Sequence, residues 1–135
     1  MEQRDLHLLQ IRPEIPGAIV SEKMSSQEQF QNQTLRPVIK LQNDLLVEAF
    51  RNYVSKHKNV FYDLDVERRL LYIENAIQKD IKFRNSLKGM IIGQFTTAEY
   101  RSYITDSSAL NKRMMNLVKE RIQSNIQLFE SLYFV

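Results

Sequence analysis

The chain has no cysteine and no tryptophan, and only three prolines and three glycines in 135 residues. Without cysteine, disulfides and thiolate metal ligands are excluded, which fits a reducing compartment. The prolines are Pro13, Pro16 and Pro37; beyond Pro37 the only glycines are Gly89 and Gly93. Proline and glycine punctuate backbone structure. Almost one hundred residues therefore carry little that would stop a helix, and they are rich in Leu, Ile, Lys, Gln, Glu and Arg, which favour one. Long apolar runs are missing too. The cluster Gly89-Met90-Ile91-Ile92-Gly93 falls far short of the ~20 residues that span a bilayer. The first residues, Met1-Glu2-Gln3-Arg4-Asp5, have neither the basic nor the apolar region of a secretory signal. The expectation is a cytoplasmic protein with no membrane partner.

What is present suits one globular domain. Hydrophobic residues make up 43% and charged residues 26%, ordinary values for a chain long enough to bury a core. The net charge of +3 is mild and lies in the later part: residues 1–37 hold 4 basic and 5 acidic side chains, residues 38–135 hold 15 and 11. Such an excess does not by itself imply nucleic acid.

Residues 1–33 read as an irregular N-terminal arm packed on a helical domain over 34–135. Asp5 to Ile11 forms a short helix presenting Leu6, Leu8 and Leu9, stopped before Pro13. Ile15, Ile19 and Val20 around Pro16-Gly17 form an extended strap laid on the body, and Ser25-Ser26-Gln27-Glu28 opens a turn or two containing Phe30. A central helix then starts at an N-cap Thr34, with Pro37 in its first turn, and runs to about His57. Its arc of Val38, Ile39, Leu45, Leu46, Ala49, Phe50 and Tyr53 is wide enough for two neighbours.

Asp63 or Asp65 begins the next helix. Val66, Leu70, Ile73, Ile77 and Ile81 share a face that Leu87, Ile91 and Phe95 continue. An unbroken helix over 66–95 would be about 45 Å long, so a bend is expected near Asn85-Ser86. Apolar residues surround the axis beyond Ser86, which predicts burial there. Thr96-Thr97-Ala98-Glu99 is a capping box for a short helix, and Asp106-Ser107-Ser108 caps a long last one carrying Leu110, Met114, Leu117, Val118, Ile122, Ile126 and Phe129. The fold class is all-α: a compact bundle of four to six helices with an irregular N-terminal arm.

No catalytic constellation stands out. His7 and His57 have no ligand spacing, and Asp63-Leu64-Asp65-Val66-Glu67 lacks the glycine and distal glutamate of a calcium loop. Nucleophile elbows and phosphate-cradling glycine loops are missing. Neither a metal nor a cofactor is expected, and catalysis is disfavoured.

Polar groups on faces that should be dry are more informative. Asp80 and Arg84 lie four residues apart on the apolar arc of the second helix; Asn111 and Asn125 lie on that of the last, with Arg121 at its margin, and Gln42 on that of the first. Buried unpaired charge is costly, so these groups pair with one another or with a ligand. One reading is a network that fixes helix packing. The other is a pocket lined by Asp80, Arg84, Asn111 and Arg121, with Arg84 anchoring an anion. Gly89 and Gly93, one turn apart, allow close packing of another backbone, either within the fold or across a homodimer. Arg68, Lys79 and Lys82, with Lys112, Arg113 and Lys119, lie on outer helix sides and would have to be contiguous to bind nucleic acid.

The runs Leu35–Asp44, Phe83–Phe95 and Ala109–Met115 resemble a family of short uncharacterised bacterial proteins, some of which carry an automatically assigned glyoxalase label. The resemblance covers nearly the whole chain and implies an all-helical protein without an established activity. Glyoxalases of the common type are βαβββ proteins with a His/Glu metal site, so no functional residue is carried over.

The expectation is a helical protein that acts by binding another protein or a second copy of itself. A small-ligand sensor or enzyme using the Asp80/Arg84/Asn111 pocket is the alternative. A nucleic-acid-associated protein is the third.

Overall fold

Helix-permissive sequence runs into helices almost throughout. The computed structural model describes residues 3–129, and these contain seven helices and no strand. Residues 130–135, within the expected helical domain, lie outside the described residues. The helices are α1 (Gln3–Ile11), α2 (26–41), α3 (Asn43–Lys56), α4 (Val66–Lys79), α5 (Ile81–Ile92), α6 (Thr97–Ile104) and α7 (Ser107–Ser124). The all-α class holds; the count is one above the expected upper limit. No helix among the described residues is long and apolar enough to cross a membrane.

Helix boundaries differ from expectation at several points, each for a local reason. Thr34 is not an N-cap. It is buried inside α2, which starts at the N-cap Ser25 and passes without interruption through Ser26–Phe30, a π-type turn Gln31–Leu35, and Arg36–Leu41. Pro37 cannot donate to the carbonyl four residues back, and its ring crowds that carbonyl. The widened turn just before it accommodates both effects. Gln42 (φ −86°, ψ 6°) then breaks the expected long helix between α2 and α3. Its side-chain amide donates to the Met90 carbonyl at 2.8 Å, tying the kink to α5.

The second long helix breaks at Asp80, five residues before the expected bend. Asp80 is extended (φ −85°, ψ 100°), and its carboxylate accepts from the Phe83 amide, so it ends α4 and caps α5. The aspartate satisfies one of the free amides at a helix start, and a local hydrogen bond of this kind competes well with helix continuation. The break turns Ile81 out of the expected stripe, leaving it exposed along with Val66. The α4 core face is Ile73, Ala76 and Ile77.

The hub is the last helix rather than the first: α7 packs against α2, α3, α4, α5 and α6. It buries Leu110, Met114, Met115, Val118 and Ile122, a stripe at helical spacing. The expected continuation to Ile126 and Phe129 leaves the helix at its C-cap Asn125 and forms a 3₁₀ turn over Ile126–Leu128. Phe129 is buried nonetheless, packing on Phe50. Phe50 is fully buried on α3, with Phe61, Tyr72, Phe83 and Phe129 around it at centroid distances of 5.0–6.4 Å. Leu45, expected on the buried arc, is exposed.

The glycines of α5 do not receive another backbone. A Cβ at Gly89 would meet nothing within 4 Å, and one at Gly93 would meet the Gly89 carbonyl of its own turn at 3.1 Å. Both residues are exposed, so this side of α5 is open although Leu87 and Ile91 are fully buried. Close packing within the fold is therefore not their role.

Truncation at the aromatic hub should be among the more costly changes. Phe50→Ala is expected to destabilise by about 4 kcal/mol, whereas Val66→Ser at an exposed position should stay within about 0.5 kcal/mol. Urea unfolding followed by circular dichroism checks the contrast.

Candidate functional site

The arm is fastened to the body by charge rather than by its aliphatic residues. Asp5 and Leu8 lie on one face of α1, and Arg12, the residue just past its end, continues their steps of three and four. That face meets the N-terminus of α6. There Thr96 accepts from the Glu99 amide while the Glu99 carboxylate accepts from the Thr96 amide, the expected capping box. Glu99 is used further: Arg12 donates to both carboxylate oxygens at 2.6 Å, and the buried Thr34 hydroxyl donates at 2.9 Å. The second Arg12 amino group also reaches the Gln94 carbonyl at 2.8 Å. The paired side chains are only 7% and 16% exposed.

Asp5 completes the clasp. It is 2% exposed and accepts from the Thr97 amide at 3.2 Å and the Thr97 hydroxyl at 2.6 Å, with Arg4 beside it at 3.0 Å. An acidic side chain at a helix start is favoured by the free amides and the helix dipole. The Thr97 hydroxyl is the main reason that the Asp5 carboxyl lies below its ordinary value, partly opposed by burial. For Glu99 burial is the largest influence and pushes upward. Arg12, the Thr96 amide and the Thr34 hydroxyl together outweigh it and hold the carboxyl low. The clasp is imperfect: Arg12 Nε and Gln94 Oε1 are buried without a hydrogen-bond partner.

With the polar face inward, the apolar residues of the arm point out. Leu6, Leu9 and Ile11 of α1 are 46%, 45% and 57% exposed, and Ile19 and Val20 of the following segment are 67% and 47% exposed. The expected strap of aliphatic residues laid on the body is therefore reversed at Ile19 and Val20.

The four residues expected to share a pocket do not converge. Asp80 spends one oxygen on the Phe83 amide (3.2 Å) and the other on the Tyr53 hydroxyl (3.1 Å). These bonds, the amide first, lower its carboxyl; burial together with the Asp80 bond pushes the Tyr53 phenol up to about 12. Asp80 is thus no longer on a helix face with Arg84, which forms no ion pair among the described residues. Asn111 accepts from the Tyr103 hydroxyl at 2.5 Å, linking α7 to α6. Arg121 lines a separate groove with Ile15, Arg36 and Leu117. The cleft beside Asp80 includes neither Arg84, Asn111 nor Arg121. Asn125 donates to Asn43 and the Arg121 carbonyl. Of the basic residues, Arg113 is engaged with Gln27 and Gln31, and Lys119 faces Glu74 at 3.8 Å. Among the described residues no cluster of three or more His, Asp or Glu could hold a metal ion.

Sequence reasoning assigned Glu99 to its cap and missed Arg12 and Asp5. The one available signal was the Asp5–Leu8–Arg12 spacing, which places opposite charges at the two ends of one stripe.

No family model, curated protein or solved structure matches the chain.

Removing one partner of a buried pair leaves the other uncompensated, so Arg12→Ala is expected to cost about 3 kcal/mol. Glu99 has a lowered folded pKa, so its contribution is complete above the unfolded value near 4.5 and disappears as pH falls through the lower folded value. Melting temperatures between pH 3 and 7 should drop on the acid side more steeply for wild type than for Glu99→Gln.

Proposed function

We propose that the chain is a protein-interaction module that docks through the outward side of its N-terminal arm. The observation behind this reading is the inversion of the arm: Asp5 is 2% exposed while Ile11 and Ile19 are 57% and 67% exposed. Burying charge and exposing aliphatic groups is unfavourable in water on both counts. It becomes favourable where a second apolar surface covers the outer side. Leu6, Leu9 and Ile11 would then act as anchors, and the ionic clasp as the part that holds them at a fixed angle. A partner of matching chemistry presents an apolar groove with few charges at its centre. Self-association, with the outer side of one arm against that of a second copy, falls within the same reading.

The substitutions that test it leave the clasp alone. Leu9→Glu with Ile11→Glu places two charges on the outer face and should leave helicity and melting temperature close to wild type. Wild-type protein is expected to sediment as a dimer or to carry a partner in stoichiometric amount, and the double variant to lose it. A monomeric wild type without a partner, or association indifferent to both substitutions, would sink the proposal.

A further inference from the structure

A second feature of the molecule shares no residue with the arm. The Asp80 break between α4 and α5 opens a cleft of about 770 Å³ against the end of α3, within the range of small-molecule sites. Its walls combine the half-buried Tyr53 and Tyr72 with Val60 and Ile81, which are 49% and 70% exposed. Lys79 and Lys82 flank the break.

Three observations describe the polar lining. Asp80 is the single carboxylate among the lining residues, and both its oxygens are occupied, by the Phe83 amide and the Tyr53 hydroxyl. The two lysines form no ion pair among the described residues. His57 places Nδ1 at 2.7 Å from the Tyr53 carbonyl, which can only accept, so Nδ1 is the donor. The ring is stacked on Tyr53 at 4.0 Å, with Nε2 left over for a further contact. With two lysines against the one carboxylate of Asp80, the lining carries a net positive charge.

The rim is bounded by the turn that ends α3. Between His57 and Val60, both Lys58 (φ 64°) and Asn59 (φ 59°) are left-handed. Left-handed residues are common just past a helix C-terminus, where they let the chain turn back on the last free carbonyls.

We propose that this cleft binds a small organic anion with an aromatic or branched aliphatic body. Its carboxylate pairs with Lys79 and Lys82, and its body lies against Tyr72, Val60 and Ile81. Carboxylate recognition by two lysines supplies charge-assisted hydrogen bonds, and the apolar wall rewards a body that free acetate lacks.

The probe is phenylacetate, with phenylacetamide as its neutral counterpart and acetate as the anion without a body. Amide and tyrosine-ring shifts are followed by NMR in titrations of the 135-residue chain. Phenylacetate should shift the 75–82 amides and the Tyr72 ring with saturation, and both controls should bind about tenfold more weakly or worse. Lys79→Gln with Lys82→Gln, both at exposed positions, should weaken phenylacetate by about tenfold while Lys112→Gln leaves it unchanged. Equal binding of acid and amide, equal binding of acetate, shifts scattered away from the cleft, no saturable shift, or wild-type affinity in the double variant would each overturn the assignment.

Discussion

A single carboxylate, that of Glu99, joins three stretches of chain that are far apart in sequence. It accepts from its own helix start at Thr96, from Thr34 in the middle of α2, and twice from Arg12 just after α1 of the arm. Taking the carboxylate out of water is costly, and only a full set of donors offsets that cost. Each donor thus becomes a requirement on the placement of its own segment. The π-type turn that carries Thr34, the cap at Thr96 and the stop at Arg12-Pro13 are positioned relative to one another by the same two oxygens. The arm is consequently part of the fold, although few of its aliphatic side chains are buried.

The surface features follow from where helices are interrupted. Asp80 exchanges one turn of helix for a cap, and the resulting corner opens a cleft that a continuous 66–95 helix would have closed. Gln42 interrupts the other long helix and spends its amide on Met90, so two kinked rods pack around α7 instead of two straight ones. Kinks let α7 reach five helices, and they let Phe50 collect rings from α4, α5, the 3₁₀ turn Val60–Asp63 and Phe129 beyond the turn Ile126–Leu128. Close packing of that aromatic group leaves little room for adjustment, which makes the surrounding corners rigid places on which to mount polar groups.

Legibility in the sequence followed the range of the interaction. Asp65, one of the two expected starts of α4, the Thr96/Glu99 capping box, the helix end near His57 and the α7 stripe through Met114 and Ile122 depend on neighbours three or four residues away, and all are found. Asp80 was read as a face residue because its spacing to Ile77 and Arg84 fits a helix. The same aspartate is an equally good cap, and periodicity cannot distinguish the two when no glycine or proline marks the break. Asn111, singled out as a polar group on an apolar face, does find a partner in Tyr103, eight residues back, but not in Arg84 or Arg121. The expected convergence failed since helical phase says which side a residue faces and nothing about which helix comes to that side.

The amino-acid order alone determined the helical class, most caps and much of the buried stripe of each helix, because those rest on backbone propensity and contacts within one turn. Which polar residues go inside was decided only by the tertiary structure. Arg12 meets Glu99 across 87 positions and Asp5 meets Thr97 across 92, and the outward turn of the arm's leucines is the consequence. A charge is buried where its partner is, and that partner is supplied by the folded chain, not by the local sequence.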